Sequence, residues 1–275
     1  MQVSTVQRNV QAPGRPDVSQ PDSVLSKAHL LLSAFRQGVS TLGLTELSRR
    51  SGVSKASAHR LATELVELGY LTRTLGGYQL GLQVFELGRM VPGPAILRDV
   101  ARPAMQDLRV VTRGIVHLAV PEGGECVYLD RIAGRNEVVV ISSVSDRVPF
   151  HTTASGRIFL AHSDPGTIDQ LDTAGLAALG ARNQAEATAI LAGIRTRRYA
   201  EERSTCFRGA KALAVPVVYP DSEQVVAAIS VTVPLERRDE QDLLRALWAT
   251  SSDIRGGLLR TYDDSMPYQS TKSHH

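Results

Sequence analysis

Apolar positions recur along this chain at two spacings, and the helical one comes first. Val24, Leu25, Ala28, Leu31, Leu32 and Phe35 form one stripe, which predicts a helix over 23–37 closed by Gly38. Leu44 and Leu47 open a shorter helix. Thr45 is its candidate cap, and Gly52 stands where a helix end needs a left-handed residue. Val53 plugs the turn. Ser54 then caps a longer helix over 55–68 with Ala58, Leu61, Leu65 and Leu68 facing inward, ended by Gly69. The pattern next alternates: 71–75 and 78–80 read as strands about a Gly76-Gly77 turn. Two short helices followed by a two-stranded hairpin make a winged helix-turn-helix. Leu82, Phe85 and Leu87 mark one more short helix over 81–90.

Val91-Pro92-Gly93-Pro94 reads as a helix break and a domain boundary. A helix follows over 95–111, with Ile96, Leu97, Val100, Ala104, Leu108 and Val111 inside and a kink at Pro103. Strands are predicted at 115–120, 126–132 and 138–143, the first two joined by a Pro121-Glu122-Gly123-Gly124 turn. Helices are predicted at 153–162 and at 183–197, the latter with Asn183 and Glu186 in capping-box positions. Strands at 212–218 and 225–233 meet at Pro220-Asp221, and a last helix spans 239–260. Strands and helices do not alternate regularly. The hairpin links indicate an α+β domain with a largely antiparallel sheet and helices packed on it. The organisation is a flexible arm at 1–22, a winged helix-turn-helix at 23–90, a linker helix at 91–111, a sensor-type domain at 112–262 and a disordered tail at 263–275.

Composition narrows the class. At 275 residues and 43% apolar, the chain can build two packed cores. No stretch approaches the ~18 uninterrupted apolar residues of a membrane span, and the first residues have no secretory core segment. The two cysteines, Cys126 and Cys206, form neither a metal spacing nor a disulfide framework, so a cytoplasmic location is expected. The net charge of +3 says little alone. Its distribution says more: 23–90 holds eight Lys/Arg against four acids, a net of +4, so the rest nets −1. The positive excess lies where phosphate contacts need it.

The chemistry follows the charge. On the second reader helix, Lys55, Ser57, His59, Arg60 and Thr63 lie off the apolar stripe, densest in the two turns that would enter a major groove. With Ser54, with Arg49 on the helix before, and with Arg73 on the wing, they are the candidate DNA contacts. A basic helix face is otherwise simply a solvated face. In the second domain, His151-Thr152-Thr153-Ala154-Ser155-Gly156-Arg157 opens a helix with small residues whose free N–H groups suit a carboxylate. Ser230 and Thr232 share one face of a strand, opposite Ile229 and Val231. Capping and ordinary strand hydroxyls are the plain alternatives. There is no phosphate loop, dinucleotide fingerprint or metal-binding histidine pair, and no cofactor or metal is expected. An enzyme would need Ser155 with His151, or Cys206, as an activated nucleophile, and neither lies in a recognised elbow.

Taken over 23–260, the chain resembles the IclR family of bacterial transcriptional regulators. LTELSRRSGVSKASAHRLATELVELGYL, with its Ala58-His59-Arg60-Leu61 step, carries the reader, and Tyr78-Gln79-Leu80-Gly81 the wing exit. HLAVPEGGECVYLDRI, FHTTASGRIFLA, RRYAEERSTCFRGAKALAVPV and VVAAISVTVP follow in order. The resemblance implies a GAF-like effector-binding domain, dimers or tetramers on palindromic operators, repression more than activation, and a small organic or aromatic acid as effector. It carries the effector site to Ala154 and Ser155 as backbone donors, Ser230 and Thr232 as hydroxyls, Glu202 as the acidic member, and Ala212 where many members have Cys. Two departures make the pocket less acidic: Arg203-Ser204-Thr205 replaces a run of acids, and Ala212 replaces the thiol. Arg203 would favour an anionic ligand if it pointed inward, and a surface position is the expectation. The competing class is an enzyme or metabolite-binding protein that uses its winged helix only for assembly.

Overall fold

The computed structural model describes residues 23–35, 39–134, 147–203, 209–219, 222 and 224–265. The 1–22 arm, Gly38, the 138–143 strand, Cys206, the Pro220-Asp221 turn and residues 266–275 lie outside them. The chain divides into two compact units, Met1–Gly88 and Arg89–His275.

In the first unit, α1 (Val24–Ser33) is capped by Ser23, whose Oγ accepts from the Ser26 N–H at 3.0 Å. Its buried contacts come from Leu31 and, just past its end, Ala34 and Phe35. Val24 and Leu25, expected inside, are exposed, Leu25 at 83%. The cluster of α1, α2 and α3 side chains covers only the later turns of α1. Helix α2 (Leu44–Ser51) starts two residues too early for Thr45 to cap it: Gly43 is the N-cap, with no side-chain cap, and Glu46 supplies the negative charge that a helix start favours. Gly52 adopts φ +69° as expected, and buried Val53 is fixed by its carbonyl accepting from Ser48 Oγ at 2.7 Å. Helix α3 (Lys55–Glu67) is capped by Ser54 and buries Ala58, Leu61, Ala62 and Leu65. Leu68 is the C-cap residue and lies 63% exposed, because the last turn ends before its side chain can join the stripe.

The wing consists of β1 (Leu71–Thr74) and β2 (Gly77–Leu80). Thr74 pairs with Gly77, so the two-residue turn is Leu75-Gly76, one position earlier than the Gly-Gly pair suggested. Gly77 belongs to the strand for a different reason. Its φ is +132°, and a Cβ there would lie 2.2 Å from the Leu42 carbonyl oxygen. Leu42 and Tyr78 exchange two backbone hydrogen bonds at 2.9 Å, which seats the wing on the chain entering α2. Helix α4 (Leu82–Arg89) follows and leaves Leu82 and Phe85 exposed.

In the second unit, α5 (Pro92–Thr112) begins inside the Pro-Gly-Pro segment expected to break a helix. Proline costs little in a first turn, whose N–H groups have no helical acceptor. The buried stripe of α5 is Leu97, Ala101, Met105 and Leu108, continuing to Thr112; Val111 lies outside it and is 69% exposed. Then come β3 (Ile115–Glu122), β4 (Glu125–Ile132), β5 (Arg147–Pro149), a single 3-10 turn (Phe150–Thr152), α6 (Ala154–His162), α7 (Pro165–Asp169), α8 (Thr173–Leu179), α9 (Gln184–Arg197), β6 (Ala200–Arg203), β7 (Ala210–Val218), β8 (Val225–Pro234) and α10 (Glu240–Ser265). Elements β5, β6, α7 and α8 are too short for periodicity to reveal. Pro121 and Glu122 stay in the β3–β4 ladder, leaving Gly123-Gly124 as the turn. Helix α10 continues past Asp263 into the stretch read as a tail. Asn183 caps α9 as expected, but Glu186 accepts from the N–H of Arg182 rather than of Asn183.

The six strands pair antiparallel in the order β5-β4-β3-β8-β7-β6. This is an α+β fold. Pro216 fits in β7 because the β6 ladder ends at Ala214, so no neighbour needs an N–H on that side. One sheet face carries Val116, Leu118, Leu213, Val215, Ile229 and Val231, packed with the stripes of α5 and α10. Those helices meet closely: a Cβ on Gly257 would lie 2.4 Å from Val100 Cγ1. The other face carries Ala119, Ala212, Ala214 and Ala228 under α6 and α9.

Replacing Gly77 with alanine forces Leu42 and the wing apart in a backbone conformation that L residues disfavour. The expected loss is more than ~2 kcal/mol of winged-helix stability. Urea unfolding of Gly77→Ala beside Gly88→Ala, where a Cβ meets open space, checks it.

Candidate nucleic-acid interface and ligand face

The reader surface follows from capping and helix phase. Ser54 Oγ accepts from the Ser57 N–H and donates to Ser57 Oγ at 3.1 Å, which fixes the start of α3. Lys55, His59, Arg60 and Thr63 are exposed on the side away from Leu61 and Leu65, and Ser57 is half-buried. Two of the candidate cations have internal partners. Arg49 donates twice to Glu46, at 2.8 and 2.6 Å, and Arg50 donates to the same carboxylate at 2.6 Å. These bonds hold Glu46 down at about 2 and raise the Arg49 guanidinium. Arg60 pairs with Glu64 one turn on at 2.9 Å. Arg73 lies over the Tyr78 ring at 5.6 Å, and buried Tyr78 orients it. Sequence placed all seven candidates on this unit, but charge counting could not show that Arg49 and Arg60 are already paired.

In the second unit, backbone register brings the other candidates onto one sheet face. Glu202 pairs with Ala212 and Ala212 with Thr232, a row across β6, β7 and β8. Ala214, Ser230 and His117 form the next row across β7, β8 and β3. All of these side chains are buried or nearly so. Helix α6 packs over this face, set there by Gly156, where a Cβ would lie 2.3 Å from the Phe150 carbonyl oxygen. Thr153 caps α6, its Oγ1 accepting from the Gly156 N–H at 3.0 Å. The N–H groups of Ala154 and Ser155 lie in the same first turn, where the helix offers no acceptor. Ser155 is 1% exposed and, among the described residues, its Oγ has no hydrogen-bond partner. His151 makes no hydrogen bond to it among the described residues. Arg203 points outward to Glu201 at 2.5 Å, as expected of a surface residue. Sequence reasoning missed His117 and Tyr128, whose rings lie 5.0 Å apart on this face. A histidine inside an otherwise apolar strand, Ile-Val-His-Leu-Ala-Val, was the available signal.

Comparison with known proteins assigns both units. The signature described as "IclR helix-turn-helix domain" matches residues 24–75, and that described as "Bacterial transcriptional regulator IclR C-terminal" matches 94–255. This chain belongs to the IclR family of bacterial transcriptional regulators. The HTH-type transcriptional regulator XynR of Escherichia coli is 29% identical over 227 residues, which cover 80% of this chain and 89% of that one. The HTH-type transcriptional regulator KdgR of E. coli is 29% identical, over 82% and 88%. Among solved structures, an IclR homolog complexed with 4-hydroxybenzoate from Microbacterium hydrocarbonoxydans superposes with a TM-score of 0.75 at 25% identity, covering 86% of this chain and 100% of the other. The Thermotoga maritima IclR shares the fold at a TM-score of 0.69 and 23% identity, over 85% and 98%. As an IclR protein, this chain is a DNA-binding transcriptional regulator with a helix-turn-helix domain and an effector-binding domain. No helix among the described residues is long and apolar enough to cross a membrane.

The α6-covered sheet face of this IclR protein is electrostatically unusual at His117. Burial, with the nearby Arg131 charge, pushes its imidazole from 6.5 down to about 3. Burial similarly pushes the Cys126 thiol up to about 12, against a hydrogen bond with Thr153, so it stays a thiol. The folded chain therefore holds His117 neutral, while the unfolded chain binds a proton below about pH 6.5. The stability from this residue is complete above that pH and is lost progressively as pH falls toward 3, by ~1.4 kcal/mol per unit. His151 is also lowered, mainly by burial, and adds in the same direction. Going from about pH 7 to about pH 5 should thus destabilise the wild type by ~2 kcal/mol more than His117→Gln. Paired urea titrations at the two pH values test this, since all other titrating groups are common to both proteins.

Proposed function

We propose that this regulator binds a palindromic operator as a dimer or tetramer in the cytoplasm, acts as a repressor, and is not an enzyme. Its operator affinity changes when a small organic acid occupies the α6-covered sheet face. One observation carries the reading of the site: a helix start with two N–H groups and a buried Ser155 hydroxyl, unpartnered among the described residues, lies over a sheet face bearing Ser230 and Thr232. In this reading Ala154 and Ser155 give backbone N–H groups to a carboxylate, with the helix start adding partial positive charge. Ser230 and Thr232 donate hydroxyl hydrogen bonds. Glu202, buried and thus not turned to solvent, accepts from a ligand hydroxyl, and Ala212 supplies room. The 4-hydroxybenzoate held by the Microbacterium relative carries both a carboxylate and a hydroxyl, which supports this ligand class. Lys55, Ser57, His59 and Arg60 read bases, while Arg49, Ser54 and Arg73 contact backbone. Relatives named as repressors, such as the Transcriptional repressor IclR of E. coli, support the sign of regulation.

A gel-shift titration on the chain's own upstream DNA tests both halves. Lys55→Ala and Arg60→Ala should each cost ~1–3 kcal/mol of operator affinity with the fold intact. Ser230→Ala with Thr232→Val should leave affinity unchanged without effector and abolish the response to an aromatic hydroxy acid. Unchanged binding in both reader variants means that the wrong face was assigned to the groove. A full effector response in the double variant puts the ligand elsewhere.

Self-association is tested separately. Leu82 and Phe85 are exposed on α4 and suit an apolar contact between copies. Leu82→Glu with Phe85→Glu should shift the sedimenting species toward monomer, and a wild-type monomer with and without DNA sinks the proposal.

A further inference from the structure

From the wing we infer a second DNA contact of a different chemical kind: Leu75 is an apolar wedge for the minor groove beside the site read by α3. The inference rests on the DNA-binding role of the winged helix. Leu75 is a central residue of the two-residue turn joining β1 and β2, and its side chain is fully exposed. Its neighbours in the wing are otherwise polar or small: Thr72, Arg73 and Thr74 before it, Gly76 and Gly77 after it.

Three features distinguish this leucine from a stray apolar residue on a mobile loop. First, the wing that presents it is held fast. Leu42 and Tyr78 exchange two backbone hydrogen bonds, Gln79 Nε2 donates to Thr41 Oγ1 at 2.7 Å, and Gly77 is pressed against the Leu42 carbonyl. A side chain on such a turn is delivered at a fixed place. Second, Gly76 sits so close to the chain entering α2 that a Cβ on it would lie 3.3 Å from Thr41 Cγ2. The turn is thus beside the start of α2, in the same compact unit as the reader helix. Third, the surroundings are electropositive. Arg73 stands two residues before the tip, held over Tyr78, and the unit carries a net charge of +4 over 23–90.

A narrow hairpin tip of this shape suits the minor groove, which admits no helix. Proteins that enter this groove commonly pair basic side chains with an apolar residue wedged between base steps, which kinks the duplex. Leu75 supplies the wedge and Arg73 the phosphate or groove-edge contact. The consequence is readout by deformability: flexible steps under the wing are favoured though no hydrogen bond reaches them.

The test uses the full chain and a duplex that it enriches from a randomised library. Leu75→Ala and Leu75→Ser are compared with wild type for affinity, for DNA bending by circular permutation, and for oligomeric state by sedimentation. Circular dichroism verifies the fold of both. Each variant should bind about tenfold more weakly and bend the duplex less. Replacing the flanking adenines by diaminopurine adds an amino group in the minor groove and leaves the major-groove edge unchanged. It should weaken wild type and have little effect on Leu75→Ala. Equal affinity and bend in all three proteins overturns the wedge. So does an equal diaminopurine penalty, or a change confined to oligomeric state, which would make Leu75 a contact between copies. Failure of wild type to enrich any duplex would instead remove the DNA-reading role on which the inference rests.

Discussion

The second unit depends on one constraint, a sheet buried on both faces with side chains of unequal size. Strands β3, β8 and β7 present branched residues, Val116, Leu118, Leu213, Val215, Ile229 and Val231, to α5 and α10. They present Ala119, Ala212, Ala214 and Ala228 to α6. The large side is a conventional core whose burial drives folding. The small side lets a helix start, rather than a helix flank, come down over polar groups. A sheet with large residues on both faces would be as stable or more so, and would leave those polar groups no room.

The same asymmetry accounts for the polar residues that the core tolerates. Ser230, Thr232, Glu202 and His117 are buried beside alanines, where the loss of water costs most and where a hydroxyl or imidazole must find a partner. Ser155, whose Oγ has none among the described residues, stands in the first turn of α6 above them. On the opposite face, two exceptions to apolar packing find partners within the fold: Ser251 donates to the Pro216 carbonyl at 2.7 Å, and Arg102 reaches Asp130 at 2.7 Å. In the proposed reading of the site, the two faces divide the labour of stability and recognition.

How much of this was legible depended on whether the governing interaction was local. Caps at Ser54 and Asn183, the left-handed Gly52 and the stripe of α3 are decided within a few residues, and the sequence displayed them. Ser230 and Thr232 were legible as a pair because strand alternation is local too. Misreadings arose where a distant residue decided. Leu25 follows the helical period but meets no core neighbour among the described residues, and Gly77 looked like a turn residue though it is required by the Leu42 carbonyl. The prolines of 92–94 signalled a break because their neighbours could not show that a helix begins there. Strand β6 was invisible at four residues, so Glu202 could be assigned by resemblance but not by geometry. His117 was passed over because its meaning comes from β8 and β4 beside it.

Glu46 has a consequence for how the protein meets a polyelectrolyte. A cation releases condensed counterions from DNA only to the extent that it brings uncompensated charge. Arg49 and Arg50 already share the Glu46 carboxylate, and Arg60 holds Glu64. For these three, docking on a phosphate exchanges one anion for another and releases few ions. Lys55 and Arg73 have no ion pair among the described residues. The attraction that survives at high ionic strength is therefore shallower in its salt dependence than a count of basic residues suggests. It leaves more of the choice of site to hydrogen bonding and shape.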